Sequence, residues 1–356
     1  MTEFTELPIR DDLKGLHPYG APQIDVPVQL NVNENTFGIP EPVLDDIAAE
    51  LGRAIRGANR YPDREFTALR DGLAAYVGHG VAPEQIWAAN GSNEIFQQLL
   101  QAFGGIGRTM LGFRPTYSMY PLLSAGVGVR WIGVDRQEDW EVSADYAIAA
   151  VEREHPDIVV LCTPNNPTGT PLGLDVIEAI YDAHPGMLIV DEAYVEFQDA
   201  PSAVTLLPGR ERLVVSRTMS KAFAFAGVRL GYLVADPAVA DALRLVRLPY
   251  HLSVLTQAAA VAALRHSGEM LAQVDAIKRQ RDRMIRELTV LGYRPYPTAS
   301  NFVLFGGVAD PQRIFQGLLD AGVIIRDVGI PNTLRVTAGT EEETTAFLEA
   351  LARLAD

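Results

Sequence analysis

At 356 residues the chain is long enough for about two domains, and 48% hydrophobic with 21% charged residues excludes a disordered polymer. Thirty Lys+Arg against 45 Asp+Glu leave a net charge of −15, which argues against nucleic acid and membrane surfaces as partners but not against a small anion in a local basic pocket. The one cysteine, Cys162, forms no internal disulfide, and with six scattered histidines it builds no structural zinc site.

The acidic start Met1-Thr2-Glu3-Phe4-Thr5-Glu6 carries no secretory pattern. No run reaches the roughly 18 apolar residues that span a bilayer, so a cytoplasmic protein is expected. Residues 1–40 read as an extended arm rich in Pro and Asn. From Ile86 onward short apolar runs alternate with helical patterns. Ile86-Trp87-Ala88 is a strand, followed by Gly91-Ser92-Asn93 and a helix from Glu94 with apolar positions Ile95, Leu99, Leu100 and Phe103. Ile158-Val159-Val160-Leu161-Cys162, Met187-Leu188-Ile189-Val190, Leu213-Val214-Val215 and Leu230-Gly231-Tyr232-Leu233-Val234 read as strands buried on both faces, with helical stretches such as 175–183 between them. This alternation predicts an α/β fold, a mostly parallel sheet sandwiched by helices, over residues 41–250. The texture then changes. A long helical region over 253–291 leads to Phe302-Val303-Leu304-Phe305, a helix over 311–321, strands at Val323-Ile324-Ile325 and Leu334-Arg335-Val336, and a closing helix. Residues 251–356 are thus expected to form a long linking helix and a smaller α+β domain, with the arm lying near it.

Only three of the basic residues are lysines: Lys14, Lys221 and Lys278. Chemistry that needs an amine therefore has few places to reside. Lys14 follows two aspartates and Lys278 belongs to a charged run, whereas Lys221 is followed by small and apolar residues. A desolvated lysine falls below its reference pKa of about 10.4 and becomes available as a Schiff-base amine. The segment alone equally allows Lys221 to snorkel from a partly buried turn.

Neighbouring polar groups narrow the choice. Thr218, Ser220 and Arg229 combine hydroxyls with a planar cation, a set suited to phosphate. Gly91-Ser92-Asn93 before a helix offers unpaired N–H groups and the positive end of the dipole, although a plain N-cap reads the same way. Beside a lysine awaiting an aldehyde, this suggests pyridoxal 5′-phosphate. That cofactor needs a carboxylate facing its pyridine nitrogen. Asp191 ends a buried strand where ligands of open α/β sheets bind, and a solvated strand-end carboxylate is the plainer alternative. Tyr194 follows three residues on, and Asn166, in Asn165-Asn166-Pro167-Thr168-Gly169, lies at another strand end that otherwise reads as a turn.

Taken in this order along one α/β scaffold, the motifs resemble the fold-type I pyridoxal-phosphate-dependent aminotransferases of class I/II, over essentially the whole chain. The resemblance implies that Lys221 carries the cofactor and moves the proton between substrate Cα and the cofactor's C4′. It implies that Asp191 pairs with the ring nitrogen, that Asn166 and Tyr194 bind the ring oxygen, and that Tyr117 stacks on the ring. Ser92, Asn93, Thr218, Ser220 and Arg229 would hold the phosphate. Tyr61, in Asn59-Arg60-Tyr61-Pro62-Asp63, would reach the phosphate in the neighbouring subunit of a homodimer with shared sites, and the arm would pack on the small domain and on that subunit. Each tyrosine also has an ordinary core or interface reading.

Within the family the likeness is to the histidine-biosynthesis branch that acts on histidinol phosphate. It rests on His17-Pro18-Tyr19-Gly20-Ala21-Pro22-Gln23, Asn31-Val32-Asn33-Glu34-Asn35, Ala88-Ala89-Asn90-Gly91-Ser92-Asn93-Glu94, Arg217-Thr218-Met219-Ser220-Lys221, Ile325-Arg326-Asp327-Val328-Gly329 and Leu334-Arg335-Val336-Thr337. Proline commonly follows Asn33-Glu34-Asn35 in the family, and Thr36-Phe37-Gly38 stands here, which leaves substrate preference open. The resemblance implies that Arg335 receives glutamate's α-carboxylate in one half of a ping-pong cycle and the phosphate of histidinol phosphate in the other. Arg326, Asn33 and Tyr19 from the partner chain would assist; Arg326 beside Asp327 also reads as a small-domain salt bridge. Aromatic amino-acid transaminases and decarboxylases of phosphorylated amino acids share these motifs, so both activities stay open as alternatives.

Overall fold

The computed structural model describes residues 7–17, 20 and 22–355. Strand β1 (Val28–Gln29), helix α1 (Glu41–Ile55) and helix α2 (Thr67–Val77) come first. Helix α1 begins where Pro42 supplies a preset φ, and it buries Val43 and Ile47, one turn apart on a single face. Next come β2 (Ile86–Ala89), α3 (Ser92–Phe103), β3 (Thr109–Arg114), α4 (Met119–Gly126), β4 (Arg130–Asp135) and α5 (Ala144–Glu154). The alternation continues through β5 (Ile158–Cys162), α6 (Leu174–Ala183), β6 (Met187–Asp191), β7 (Leu213–Thr218), β8 (Gly231–Ala235) and α7 (Pro237–Val246).

Seven strands form one sheet in the order β2-β8-β7-β6-β5-β3-β4. Within it β3, β4, β5, β6 and β7 pair in parallel, and β8 runs antiparallel to both of its neighbours. The continuous apolar runs are buried at every position of β2, β5 and β8, as strands covered on both faces require. Strands β3 and β4 stand where the sequence reading had none. Each carries an internal glycine, which reads as a turn signal in sequence. The tertiary contact explains Gly112: a Cβ there would meet the Trp131 ring at 2.4 Å.

The helical stretch after residue 253 is two helices instead of one. Helix α8 (Val254–Arg265) starts where Ser253 Oγ accepts from Thr256 N–H and packs on α1 and α2. The chain leaves helical geometry at His266, and α9 (Ser267–Val290) packs on β9 (Arg294–Pro295) and β10 (Phe302–Gly306). Helix α10 (Pro311–Asp320) is capped by Asp310 Oδ1, which accepts from Arg313 N–H at 3.0 Å, with Pro311 at the first helical position. Strand β11 (Val323–Ile324), β12 (Leu334–Thr337) and helix α11 (Glu341–Ala355) complete the chain. Strands β12-β10-β9 form an antiparallel sheet, while β1 from the arm pairs in parallel with β11. The arm thereby joins the C-terminal region through backbone hydrogen bonds. No helix among the described residues is long and apolar enough to cross a membrane.

Candidate active site

Parallel strands all deliver their carboxyl ends to one edge of a sheet, and the loops leaving that edge build a crevice. Here Cys162, Asp191 and Thr218 end β5, β6 and β7, and the register sets Cys162 beside Asp191. A cavity of about 390 Å³ opens there. It is lined by Ser92, Asn93, Tyr117, Asn166, Asp191, Tyr194, Thr218, Ser220, Lys221 and Arg229, and by Asn33, Arg326 and Arg335 from the arm and the C-terminal region. Two other expected residues are not among them. Tyr61 lies on the surface, 79% exposed, its ring stacked on Tyr250 at 4.4 Å. Tyr19 falls outside the described residues.

Helix α3 begins at Ser92 and not at Glu94, so Ser92 and Asn93 occupy its first turn. The Glu94 and Ile95 N–H groups donate to Gly91 O, while those of Ser92 and Asn93 have no partner among the described residues. Gly91 adopts φ +84°, and a Cβ there would stand 2.6 Å from the Arg229 guanidinium. Across the turn, Thr218 Oγ1 donates to Ser220 Oγ at 3.0 Å and accepts the Ser220 N–H at 3.1 Å. Two free N–H groups, two hydroxyls and a guanidinium therefore converge on one side of the cavity. That donor set fits a phosphate group.

Gly231, the first residue of β8, makes this cradle possible. A Cβ there would lie 2.3 Å from Ser92 N and 2.4 Å from Gly91 C, both backbone atoms that cannot swing aside. Gly231→Ala is expected to lower the unfolding free energy by about 1–3 kcal/mol, the usual scale of overpacking. A denaturant titration measures it as a lower midpoint with an unchanged slope.

Lys221 is half-buried, and its Nζ donates to Val32 O at 3.1 Å. Burial pulls its pKa down to about 8, with the positive charges of Arg335 and Arg229 helping and Glu34 opposing. Asp191 is 3% exposed, and among the described residues no cation pairs with it. Burial pushes its carboxyl up to about 6, against a hydrogen bond from Tyr120 and the N–H of Ala193. An uncompensated buried carboxylate of this kind fits a protonated ring nitrogen.

Tyr194 Oη accepts from Asn33 Nδ2 at 2.9 Å and from Asn166 Nδ2 at 3.5 Å, and burial raises its pKa. Arg335 Nη1 donates to Asn166 Oδ1 at 2.6 Å and Nη2 to Asn31 O at 2.8 Å. Its guanidinium also lies 5.1 Å from the centre of the Phe302 ring, against which Tyr194 packs edge-on. Arg326 is joined to Arg335 by a pair of backbone hydrogen bonds. Asp327 Oδ1 accepts from Gly329 N–H at 2.8 Å, turning the loop beside it. Lys14 pairs with Asp11 and Lys278 with Asp199, both away from the cavity.

The sequence reading gave no site role to Tyr120, Val32, Asn31 or Gly231, although Asn31 and Val32 stand in a motif that carries the resemblance. A tyrosine three residues after Tyr117 carried some signal, because a buried phenol requires a partner. The carbonyls of Val32 and Asn31 carried none, since any residue supplies one.

An open α/β sheet whose carboxyl edge presents a desolvated lysine, a buried carboxylate and a phosphate cradle is the architecture of a vitamin-B6-type aminotransferase. The chain belongs to the aminotransferase class I and II family, whose pattern matches residues 25–351. It is 61% identical over 355 residues to the histidinol-phosphate aminotransferase of Paenarthrobacter aurescens (strain TC1), spanning 98% of this chain and 95% of the relative. The histidinol-phosphate aminotransferase of Mycolicibacterium smegmatis is 56% identical, over 98% of this chain and 94% of its own. In three dimensions the chain is similar to the crystal structure of histidinol-phosphate aminotransferase from Sinorhizobium meliloti in complex with pyridoxal 5′-phosphate. The TM-score is 0.89 at 26% identity, over 98% of both chains.

Proposed function

We infer that this chain catalyses pyridoxal-phosphate-dependent transamination of L-histidinol phosphate with 2-oxoglutarate, giving imidazole-acetol phosphate and L-glutamate in histidine biosynthesis. The observation that carries the reading is the meeting, in one cavity, of the Lys221 amine, the buried Asp191 and Arg335. Relatives more than half identical to the chain bear that name.

Pyridoxal 5′-phosphate, when bound, supplies an aldehyde for amine exchange and an electron sink for the pair left when a Cα proton departs. Ser92, Asn93, Thr218, Ser220 and Arg229 hold its phosphate, Asn166 and Tyr194 its ring oxygen, and Tyr117 covers its face. Asp191 keeps the ring nitrogen protonated by facing it with negative charge in a place sealed from water. Lys221 Nζ would remove the proton from the substrate's Cα and deliver it to the cofactor's C4′, on the far side of the amine nitrogen. Its lowered pKa matters because an ammonium ion can neither attack a carbonyl nor accept a proton. Arg335 anchors the anionic end of each substrate, the α-carboxylate of glutamate in one half-reaction and the phosphate of histidinol phosphate in the other. Arg326 and Asn33 line that end of the pocket, and in this reading the partner subunit's Tyr19 assists them.

The pH dependence follows from the direction of the shift. Below about 8 the neutral fraction of Lys221 rises about tenfold per pH unit, and above it the fraction levels off. Reductive trapping of an aldehyde on the cofactor-free protein is therefore expected to climb with pH and flatten above about 8. A climb continuing to the ordinary lysine range would place the amine in water.

The working unit in this reading is a cytoplasmic homodimer with shared sites. Tyr61, Leu245 and Leu248 are 79%, 86% and 74% exposed, a density of bare apolar surface that a second copy would cover. Lys221→Ala and Tyr61→Ala chains, each inactive as homodimers, are expected to regain activity when mixed. Each mixed dimer then holds one site with both native residues. Absence of any recovery, with exchange verified by mass spectrometry, counts against the sharing.

A donor panel tests the reaction itself. Histidinol phosphate is expected to exceed phenylalanine and tyrosine in kcat/KM, without carbon dioxide release. Preference for the aromatic donors would reassign the enzyme as an aromatic transaminase, and carbon dioxide release would mark it as a decarboxylase.

A further inference from the structure

Asp191 receives its strongest hydrogen bond from a residue that the reaction as described leaves without a part. Tyr120, on α4, is fully buried, and its Oη–H donates to Asp191 Oδ2 at 2.6 Å. The other carboxylate oxygen receives the Ala193 N–H at a longer 3.2 Å. The Tyr120 ring is wedged between aromatic neighbours. Phe96 lies 5.1 Å away, Trp131 6.2 Å, and Tyr117 meets it edge-on at 5.5 Å and 88°. Tyr117 in turn donates to Asn93 Oδ1 at 3.2 Å. One side chain therefore touches both the buried carboxylate and the aromatic ring that lines the cavity.

We propose that Tyr120 is a positioning residue for the cofactor, holding Asp191 ionised and in a single orientation for the pyridine nitrogen while its edge fixes the plane of Tyr117. The inference rests on the cofactor reading of the preceding section and adds to it a residue that touches neither cofactor nor substrate.

The physical need for such a donor is plain. Burial favours the neutral acid at Asp191, and the charge of the adjacent Glu192 adds to that tendency. The Tyr120 hydroxyl and the Ala193 N–H oppose it by bonding the charged form. Two further groups face the pair. Cys162 on β5 has a thiol pushed up to about 12, so it adds no charge near neutral pH, and Arg136 beyond β4 places a cation toward Tyr120 and Cys162. Replacing Tyr120 by phenylalanine keeps the packed ring and removes the donor alone. The carboxyl then takes up its proton at higher pH and offers the ring nitrogen less negative charge.

Wild type, Tyr120→Phe, Asp191→Asn and the double variant form a cycle that tests this. Tyr120→Phe is expected to weaken retention of pyridoxal 5′-phosphate and to lower kcat, each by about 10–100-fold, the scale found when a group that orients a ligand residue is lost. The amino donor's KM should change by less than about threefold, because Tyr120 does not touch the substrate. In the Asp191→Asn background the same change should have no further effect. In cofactor-free protein with ¹³C-labelled carboxyl groups, the Asp191 resonance should titrate at higher pH in Tyr120→Phe than in wild type. Equal losses in both backgrounds, or an unmoved Asp191 titration, overturn the proposal. A measurement without substitution at residue 120 stands beside these. The ¹³Cζ resonance of Tyr120 should follow the titration of Asp191 in wild type and lose that step in Asp191→Asn, and a resonance indifferent to Asp191 overturns the proposal equally. A wild-type protein that failed to bind the cofactor would sink the functional reading instead, while the Tyr120–Asp191 coupling is read in the cofactor-free state.

Discussion

Lys221→Ala is expected to remove transamination, with kcat/KM falling by at least about 10⁴-fold, the scale seen when a residue that acts in covalent catalysis is deleted. Neither of the chain's other lysines can substitute. Lys14 and Lys278 are each held in an ion pair outside the cavity, with Asp11 and Asp199 respectively. The variant should fold normally, because losing Nζ frees only the Val32 carbonyl at the cavity wall. Glutamate formation in a coupled assay measures the loss, and the visible absorbance of the bound cofactor should change with it. A small primary amine added to the solution should restore a fraction of the proton-transfer step. Full activity in the variant would defeat the assignment of Lys221.

Arg335→Ala is expected to be the next most damaging change, because it removes the fork that receives an anion in both half-reactions. Two charge-assisted hydrogen bonds at about 1.5–3 kcal/mol each correspond to roughly 10²–10⁴-fold in kcat/KM. The loss should fall on glutamate and histidinol phosphate alike, which separates a shared anion site from one that serves a single substrate. Arg335→Lys should recover little of it. An ammonium group keeps the charge but cannot hold Asn166 Oδ1 and Asn31 O while also presenting a planar pair of donors to substrate. Steady-state kinetics with each substrate varied in turn decide the matter. Loss confined to one substrate would remove Arg335 from its double role.

The strands of the central sheet were legible wherever the chain is apolar on both faces. Ile158–Cys162 and Met187–Asp191 stand out because a strand covered by helices on either side has no polar positions to alternate with. Thr109–Arg114 and Arg130–Asp135 were not legible, since each breaks its apolar run with a glycine whose purpose is to let another side chain cross. The division of the long helical stretch at His266 was hidden for a different reason. Its apolar positions continue through the break, and the packing partner changes from α1 and α2 to β9 and β10.

The candidate site shows the same division. Lys221, Asp191 and Arg229 could be picked out because each is a polar residue in an unusual local setting: a lysine before small apolar residues, an acid closing a buried strand, an arginine beside the lysine loop. Tyr120 offered at most the hint of a phenol in need of a partner, since that partner, Asp191, lies 71 positions away in the chain. Asn33 and Arg335 come from opposite ends of the sequence, and only the pairing of β1 with β11 and the hydrogen bonds across the small sheet bring them to one wall.

Residue chemistry and local order thus determined by themselves which groups are able to react: one desolvated amine, one strand-end carboxylate, a glycine-led helix start and a guanidinium fork. Tertiary structure decided their electrostatic state. Whether Lys221 sits near 8 or in the ordinary lysine range, and whether Asp191 is raised to about 6, depends on how much water and which charges surround them. Those surroundings are assembled from segments far apart in the chain, and desolvation is a property of the enclosing volume instead of the residue, so no local pattern encodes it.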